Sequence, residues 1–305
     1  MKPDLSVKIG SLKLKNPVMV ASGTFGYGDE FKEFVDPAVL GAIITKTITL
    51  KPREGNRPPR LFETVGGMLN SIGLQNSGLK DFVENKLPAY KNFRTRLIVS
   101  VGGETNSEYA EVVNALSGYK EVAAFELNIS CPNVEYKEKI TAHDERLTFN
   151  LVRDVRRKTR LPLIVKLSPN VEDAAKIAKA AQEAGADAIS LINTLLGMAI
   201  NVKTRKSVLG NITGGLSGPA IKPIALRMVW QVRNRITLPI IGMGGIMNER
   251  DALEFFIAGA SAVAVGTANF IDPQASLKII KGIEKYLIDN KFKGIKELVG
   301  SLNVG

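Results

Sequence analysis

The sequence contains two copies of one local pattern, and this repeat limits the folds that the chain can adopt. The first copy opens with Leu161-Pro-Leu-Ile-Val165 and closes with Ala184-Gly-Ala-Asp-Ala-Ile189. The second opens with Leu238-Pro-Ile-Ile-Gly242 and closes with Ala258-Gly-Ala-Ser-Ala-Val263. Each copy predicts a strand, a turn, a helix, a glycine cap and a further strand. Repeated β–α units of this size indicate a parallel sheet.

The ends of the two repeated helices carry capping signals. Asn170 is predicted to cap the start of the first helix, and Gly185 to end it. Asn248 and Gly259 are predicted to do the same for the second helix.

Eight short apolar runs are strand candidates, and helical patterns follow most of them. They are Pro17–Ala21, Gly41–Thr47, Leu97–Val101, Ala123–Ile129, Leu163–Leu167, Ala188–Ile192, Pro239–Met243 and Ala262–Gly266. Eight units in 305 residues favour an α/β fold of the closed (β/α)8 TIM-barrel type. An open Rossmann sheet is the alternative, but no Gly-x-Gly-x-x-Gly motif follows the first strand. We expect residues 1–305 to form a single barrel domain, with a short N-terminal β-hairpin over Leu5–Asn16.

One connection of the predicted barrel is unusually long. Thr49–Gly78 is rich in Gly, Pro and Asn and shows little periodicity. Loops of this length inside a compact domain are uncommon and are often functional. The next segment, Asp81–Tyr90, is predicted to be a helix.

Composition excludes several classes of protein. The single cysteine rules out an internal disulfide framework and a cysteine-ligated iron–sulfur cluster within this chain. The single histidine argues against a His-rich metal site or a Ser-His-Asp triad. A net charge of +11 suits an anionic ligand or an acidic partner, but the basic residues are dispersed and no nucleic-acid module is recognisable. With no spanning apolar run and no signal-peptide pattern, we expect a cytoplasmic protein.

Two lysines lie at the ends of apolar strand candidates. Lys46 ends the second strand and Lys166 ends the fifth. Burying an unpaired ammonium is unfavourable, so each needs an anionic or strongly polar partner. The partner of either lysine is a bound ligand or, alternatively, a carboxylate of the chain such as Glu126. In a barrel, the carboxyl ends of the strands hold the active site.

The fourth strand ends in the only cysteine. Glu126–Asn133 reads Glu-Leu-Asn-Ile-Ser-Cys-Pro-Asn, with apolar and polar residues alternating before Pro132. A lone cysteine is often a small buried apolar residue. Its place at a strand end, among polar residues, makes Cys131 a candidate catalytic thiol.

Glycine-containing turns follow the last two strand candidates. Gly244-Gly245 comes after the seventh and Gly266-Thr267 after the eighth. These are the loops at which barrels often bind a phosphate through backbone amides. The loop Thr213–Pro219 adds a further flexible backbone surface. Each pair is also compatible with an ordinary turn.

Several motifs together resemble class 1 dihydroorotate dehydrogenase, in order from about Leu5 to Phe270. They are Asn70-Ser-Ile-Gly-Leu-Gln-Asn76, Glu126–Asn133, Val165-Lys-Leu-Ser-Pro-Asn170, Ile192-Asn-Thr-Leu-Leu-Gly197, Gly214-Gly-Leu-Ser-Gly-Pro219, Gly242-Met-Gly-Gly245 and Val265-Gly-Thr-Ala268. The cysteine resembles class 1 rather than the membrane-bound class 2, which uses a serine. The motifs Ile192–Gly197 and Gly214–Pro219 are most similar to the NAD-linked B type.

The resemblance implies oxidation of (S)-dihydroorotate to orotate, in de novo pyrimidine synthesis, with FMN as the cofactor of this chain. It implies that Cys131 is the general base, that Lys46 lies near flavin and substrate, and that Lys166 stabilises the reduced flavin. The implied substrate-binding residues are Lys46, Asn70, Ser71, Ile72, Gly73, Leu74, Asn128, Asn133, Asn193 and Thr194. The implied FMN-binding residues are Ser22, Lys46, Thr47, Asn128, Lys166, Ile192, Gly218, Gly244, Gly245, Gly266 and Thr267.

The resemblance also implies partners. In the B type, a homodimer of barrels joins a second subunit that carries FAD and an iron–sulfur cluster. Since this chain has one cysteine, such a cluster would have to lie on the partner. The alternatives are an A-type homodimer that uses fumarate, a dihydrouracil-type dehydrogenase, and a non-catalytic barrel that binds a phosphate ligand.

The chain departs from the family pattern at two places. The loop Val134–His143 contains none of the glycines usual for the family's lid over the substrate. Ser100 stands where many B-type members have asparagine, at a position expected to contact the flavin.

Overall fold

The protein is described by a computed structural model over residues 2–129 and 141–305. Its strands are β1 (Val7–Ile9), β2 (Leu12–Leu14), β3 (Val18–Val20), β4 (Ala42–Ile44), β5 (Leu61–Thr64), β6 (Gly67–Asn70), β7 (Arg96–Val101), β8 (Val122–Asn128), β9 (Leu163–Lys166), β10 (Ala188–Leu191), β11 (Leu195–Gly197), β12 (Ile200–Asn201), β13 (Lys206–Ser207), β14 (Gly214–Ser217), β15 (Ile240–Met243) and β16 (Ala262–Val265). The α-helices are α1 (Gly78–Asp81), α2 (Asn106–Leu116), α3 (Glu145–Arg156), α4 (Ala174–Glu183), α5 (Lys222–Arg233), α6 (Glu249–Ala258), α7 (Ala268–Ile271) and α8 (Ala275–Asp289).

Eight parallel strands close into a barrel, which confirms the predicted fold. Around the barrel they run β3, β4, β7, β8, β9, β10, β15 and β16, so neighbours in the sequence are neighbours in space. All four residues of β9 are buried, as expected for strands that are covered on both faces. This double burial explains why the strands read as short apolar runs in the sequence.

The register of the strands brings polar residues to one level of the barrel. Lys166 on β9 stands opposite Asn128 on β8 and opposite Ser190 on β10. Two residues earlier along β8, Glu126 stands opposite Ser100 on β7. Polar residues near the carboxyl ends of the strands are thereby collected at one end of the barrel, where the loops meet.

The ends of the repeated helices agree with the predicted caps except at one position. Asn248 caps α6 through a capping box with Asp251, and Gly259 ends that helix with φ of 118°. The prediction for Asn170 is wrong, because the side chain of Asp173 caps α4 instead. Asn170 lies further upstream, where its amide accepts a hydrogen bond from the Leu196 amide and donates one to the Thr194 carbonyl.

Three small sheets are added to the barrel, and one of them is the two-stranded pair β12–β13. The predicted N-terminal hairpin is present as β1 and β2. The segment Thr49–Gly78, predicted as an irregular loop, contains the hairpin β5–β6. It pairs with β14 to form a four-stranded sheet in the order β11, β14, β6, β5. The chain segments that carry β5–β6 and β11–β14 start at the carboxyl ends of the barrel strands β4 and β10. The four-stranded sheet therefore forms a wall above the barrel mouth.

The helix predicted over Asp81–Tyr90 is helical but not a regular α-helix. The α1 segment continues into a π-helical turn, Phe82–Lys86, and then a 3-10 segment, Leu87–Asn92. Pro88 lies at the start of the 3-10 segment and cannot donate a backbone hydrogen bond, which interrupts the α-helical ladder. Within residues 2–129 and 141–305, no helix is long and apolar enough to cross a membrane.

Candidate active site

A cavity of about 490 Å³ opens at the carboxyl ends of the barrel strands. A cavity of this size falls in the range that binds small molecules and cofactors. Most of the residues predicted for substrate and cofactor line it. They are Ser22, Lys46, Thr47, Asn70, Ile72, Gly73, Leu74, Asn128, Lys166, Ile192, Asn193, Thr194, Gly218, Gly244, Gly245, Gly266 and Thr267.

A chain of hydrogen bonds crosses the floor of the cavity through Thr47. The Oγ1 atom of Thr47 accepts a hydrogen bond of 3.0 Å from the Asn128 amide and lies 3.3 Å from the hydroxyl of Ser22. The Asn128 oxygen accepts a hydrogen bond of 3.4 Å from the amide of Asn193. These contacts fix the amide orientations, so that carbonyl and amide groups face a bound molecule in a defined pattern.

Ser100 supports this network from behind. Its hydroxyl lies 3.0 Å from that of Thr47, and the residue is fully buried. Ser100 is not among the residues that line the cavity. An effect of Ser100 on a ligand in the cavity would therefore have to pass through Thr47.

Lys46 points across the cavity to the wall made by the Thr49–Gly78 segment. Its Nζ atom donates a hydrogen bond of 2.6 Å to the side-chain oxygen of Gln75. Burial lowers the pKa of Lys46, and the nearby Arg60 lowers it further, whereas Glu30 acts in the opposite direction. An anionic ligand beside this ammonium would favour its charged form.

Lys166 is buried at the bottom of the cavity. Of the two partners predicted for it, a ligand or a carboxylate of the chain, the carboxylate of Glu126 lies nearby but forms no hydrogen bond to it. Its Nζ atom lies 3.8 Å from Oε1 of Glu126, beyond hydrogen-bond distance. Among the described residues, no donor forms a hydrogen bond to that Oε1 atom. The other oxygen, Oε2, accepts a hydrogen bond of 2.8 Å from Ser190. The carboxylate therefore balances the lysine charge, and the ammonium keeps donors for a ligand.

Three backbone segments meet at the predicted phosphate site. Gly244 and Gly245 have φ of 119° and 77°, a region that side chains rarely adopt. A Cβ atom on Gly245 would lie 2.9 Å from the carbonyl oxygen of Gly218, so only glycine permits this approach. From the third segment, the Thr267 hydroxyl donates a 2.8 Å hydrogen bond to that of Ser217.

The remaining predicted features of the site are Cys131, Asn133, Ser71 and the loop Val134–His143. Cys131 and Asn133 are outside the described residues, as is most of the loop Val134–His143, so their roles stay predictions. Ser71 is fully buried and does not line the cavity; its hydroxyl accepts a 2.9 Å hydrogen bond from the amide of Asn56.

Sequence reasoning missed charged residues that the loops bring to the cavity. Arg60 and Glu30 line it together with Lys46 and Lys166. The guanidinium of Arg60 is fixed by the carbonyl oxygens of Asn56 and Glu54. Among the described lining residues, three cations therefore face one carboxylate, which suits an anionic ligand. The only signal for Arg60 was its place in an unusually long loop.

The described residues offer no metal site. No group of three or more His, Cys, Asp or Glu side chains in residues 2–129 and 141–305 could hold a metal ion.

The fold and the cavity define a (β/α)8-barrel protein with a cation-lined site for an anionic organic ligand. Residues 4–287 match the family model described as dihydroorotate dehydrogenase. The chain belongs to the dihydroorotate dehydrogenase family, as the sequence motifs predict.

Relatives of the same length carry one common name, dihydroorotate dehydrogenase B (NAD(+)), catalytic subunit. The protein of this name from Citrifermentans bemidjiense is 54% identical over 303 residues, which is 99% of each chain. That from Geobacter sulfurreducens is 55% identical over 303 residues, again 99% of each chain. That from Desulforamulus reducens is 55% identical over 304 residues and covers 100% of each chain.

Proposed function

We propose that this chain is the catalytic subunit of an NAD-linked dihydroorotate dehydrogenase, which oxidises (S)-dihydroorotate to orotate in pyrimidine synthesis. The observation that carries the proposal is the cavity, in which Lys46, Lys166 and the glycines after β15 and β16 meet. Full-length relatives that are more than half identical and share this name support the same activity.

The residues of the cavity fit FMN. The close approach of Gly245 to Gly218 leaves backbone surface without side chains, as a phosphate site requires. Lys166 retains hydrogen-bond donors at the other end of the cavity, where they can reach the polar edge of an isoalloxazine ring. Ser22, Thr47 and Ile192 also line the cavity and would contact the ring.

The substrate would bind above the flavin, among the asparagines of the cavity. Asn70, Asn128, Asn193 and Thr194 supply the donors and acceptors that the pyrimidine ring needs. The ammonium of Lys46, with Arg60 nearby, offers a positive charge to the carboxylate. By family resemblance, Asn133 and the Ile72–Leu74 backbone complete this set, whereas the fully buried Ser71 lies outside the cavity lining.

The chemistry divides between the chain and its cofactor. FMN, when bound, supplies the acceptor for the hydride that leaves C6 of the substrate. The thiolate of Cys131 would accept the proton from C5, so that one proton and one hydride leave together as the double bond forms. Only the thiolate can act as this base.

Electrons would leave this chain through a second subunit. The relatives' names include NAD(+) and describe a catalytic subunit, which supports a partner that passes electrons to NAD. We propose that this partner carries FAD and an iron–sulfur cluster. Co-purification of the tagged chain with a cysteine-rich protein from its own cells would support the proposal. An enzyme that reduces fumarate by itself would contradict it and indicate the A type.

A homodimer is part of the same proposal. Exposed apolar side chains occur in the segment that carries β11 to β14, at Leu196, Ile200 and Ile212. Apolar side chains grouped on one surface commonly mark an interface. Sedimentation should give twice the chain mass, and Ile212→Lys should weaken the dimer if this surface forms it.

Anaerobic reduction by substrate is the central test. The purified protein should be yellow, and dihydroorotate should bleach the flavin absorbance whereas dihydrouracil should not. Bleaching by dihydrouracil alone would indicate the dihydrouracil-type enzyme. A colourless protein that takes up no FMN would contradict every flavoenzyme proposal and leave the phosphate-binding barrel.

A further inference from the structure

A partly buried ion pair joins the two helices that follow β14 and β15. The Nζ atom of Lys222, the first residue of α5, lies 2.6 Å from Oδ1 of Asp251, the third residue of α6. It also lies 3.0 Å from Oε2 of Glu254. Both carboxylates raise the pKa of Lys222, whereas burial lowers it, and the net direction is upward. Neither Lys222 nor Asp251 lines the cavity.

Asp251 holds the loop that leaves the glycine pair. Its residue is only 7% exposed, and its second oxygen accepts hydrogen bonds from the amides of Met247 at 2.8 Å and Asn248 at 3.3 Å. Only Ile246 separates Met247 from Gly245. The carboxylate therefore fixes the backbone just beyond the segment that we assign to the phosphate.

Lys222 contacts the glycine pair from the other side. A Cβ atom on Gly245 would lie 2.7 Å from Cβ of Lys222 and 2.9 Å from its backbone nitrogen. The alkyl chain of Lys222 thus packs against Gly245. Its ammonium holds the following loop through Asp251. Since Gly218 lies four residues before Lys222, the pair connects the segments that carry Gly218 and Gly245.

We propose that Lys222 and Asp251 are positioning residues for the phosphate of the cofactor, acting through the backbone of Gly218 and Gly244–Met247. This inference rests on the proposed function, because it needs FMN in the cavity. It differs from a general role in stability, because it predicts an effect on the phosphate end of the ligand alone. Residues that orient the direct ligands of a site commonly contribute ten- to hundredfold to affinity, as metal sites show.

Comparison of FMN with riboflavin, which lacks the phosphate, separates positioning of the phosphate from a general role in stability. The apoprotein is titrated with each flavin, and quenching of flavin fluorescence gives the two Kd values. For Lys222→Met we expect the FMN Kd to rise about tenfold or more, while the riboflavin Kd stays unchanged. The advantage of FMN over riboflavin, which measures the phosphate contribution, should fall by the same factor. Asp251→Asn provides a second variant, and Lys222→Arg should recover part of the loss because it keeps the charge.

The ion pair between Lys285 and Asp289 supplies a matched control. Its Nζ–Oδ2 distance of 2.6 Å equals the Nζ–Oδ1 distance between Lys222 and Asp251, but this pair lies on the exposed surface of α8. Lys285→Met should leave both Kd values unchanged. An unchanged FMN-to-riboflavin ratio in the folded Lys222→Met and Asp251→Asn proteins, or equal weakening of both flavins, would overturn the positioning role. A wild-type protein that binds neither flavin would instead contradict the proposed function.

Discussion

The Nζ atom of Lys166 lies 3.8 Å from Oε1 of Glu126, and both side chains are almost completely buried. The two residues come from neighbouring barrel strands, β9 and β8, so the barrel itself sets their separation. Ser190, on the other side of β9, donates its hydrogen bond to the same carboxylate. The charge at the bottom of the cavity thus depends on Glu126, which a ligand does not have to contact.

Glu126→Gln should raise the reduction potential of the bound FMN. The substitution removes a negative charge beside Lys166, so the lysine stabilises the anionic reduced flavin more strongly. We expect an increase of about 30 mV, equivalent to a tenfold change in the ratio of the two flavin affinities for a two-electron couple. Equilibrium reduction against a reference dye measures the potential.

Ser190→Ala is the matched control, because it removes the hydrogen bond to Glu126 without changing charge. Its effect on the reduction potential should be much smaller than that of Glu126→Gln. A shift in the opposite direction is expected only if the carboxylate of Glu126 moves. A potential that stays constant or falls in Glu126→Gln would argue against an electrostatic role for this pair. Breaking a buried ion pair also costs about 3–5 kcal/mol of stability, so the thermal midpoint of the apoprotein should fall.

The pH dependence of orotate binding should report the pKa of Lys46. Burial and Arg60 lower this pKa, so the ammonium loses its proton below 10.5, the ordinary value for lysine. Below the lowered pKa the ammonium is charged and binds the carboxylate fully; as pH rises through it, the Kd of orotate should rise. Titration of the orotate-induced change in flavin absorbance between about pH 7 and pH 10.5 measures this.

Lys46→Arg tests whether this lysine is the titrating group. Arginine stays protonated throughout the accessible range, so the rise in the Kd of orotate should disappear even if affinity is lower at every pH. A rise that persists at the same pH in the variant would assign the titration to another group.

Gly245→Ala should weaken FMN binding and destabilise the protein. The residue has φ of 77°, and a Cβ atom would lie 2.7 Å from Cβ of Lys222. Alanine at a positive φ costs about 1 kcal/mol or more even without a clash. Gly118→Ala is the control, since nothing lies within 4 Å of its added Cβ, and it should change stability by less than about 0.5 kcal/mol. Urea unfolding of both apoproteins and titration with FMN give the comparison, and equal behaviour of the two variants would contradict it.

The barrel was predictable because its strands are buried on both faces and each is a short apolar run between turns. The hairpin β5–β6 lacks this signal. Leu61, Phe62 and Glu63 are all exposed, so no alternation of apolar and polar residues marks the strand. Its pairing is decided by β14, which lies about 145 residues later in the chain.

The residues of the site also fall into those that the sequence pattern predicts and those that it does not. Lys46, Lys166 and the glycine pair were predictable because polar or glycine residues at the ends of buried strands are unusual. Arg60 and Gln75 lie in an aperiodic segment, so their approach to the cavity depends on tertiary contacts that the sequence does not display. Asn170 was assigned to a cap by residue type alone, and Asp173, three residues closer to the helix, takes that position.

Cys131→Ser should slow the reduction of the flavin by dihydroorotate and move its pH dependence upward. A hydroxyl is a much weaker acid than a thiol, so a serine base would need higher pH to accept the C5 proton at the same rate. Loss of a general base commonly slows a reaction about 10²–10⁴-fold, and Cys131→Ala should be slower than Cys131→Ser at high pH. Anaerobic stopped-flow measurements of flavin bleaching across pH give the rates. Reduction by dithionite, which needs no base, should be equal in all three proteins and shows that the flavin site is intact. Unchanged kinetics with dihydroorotate in Cys131→Ser would remove the thiol from the mechanism.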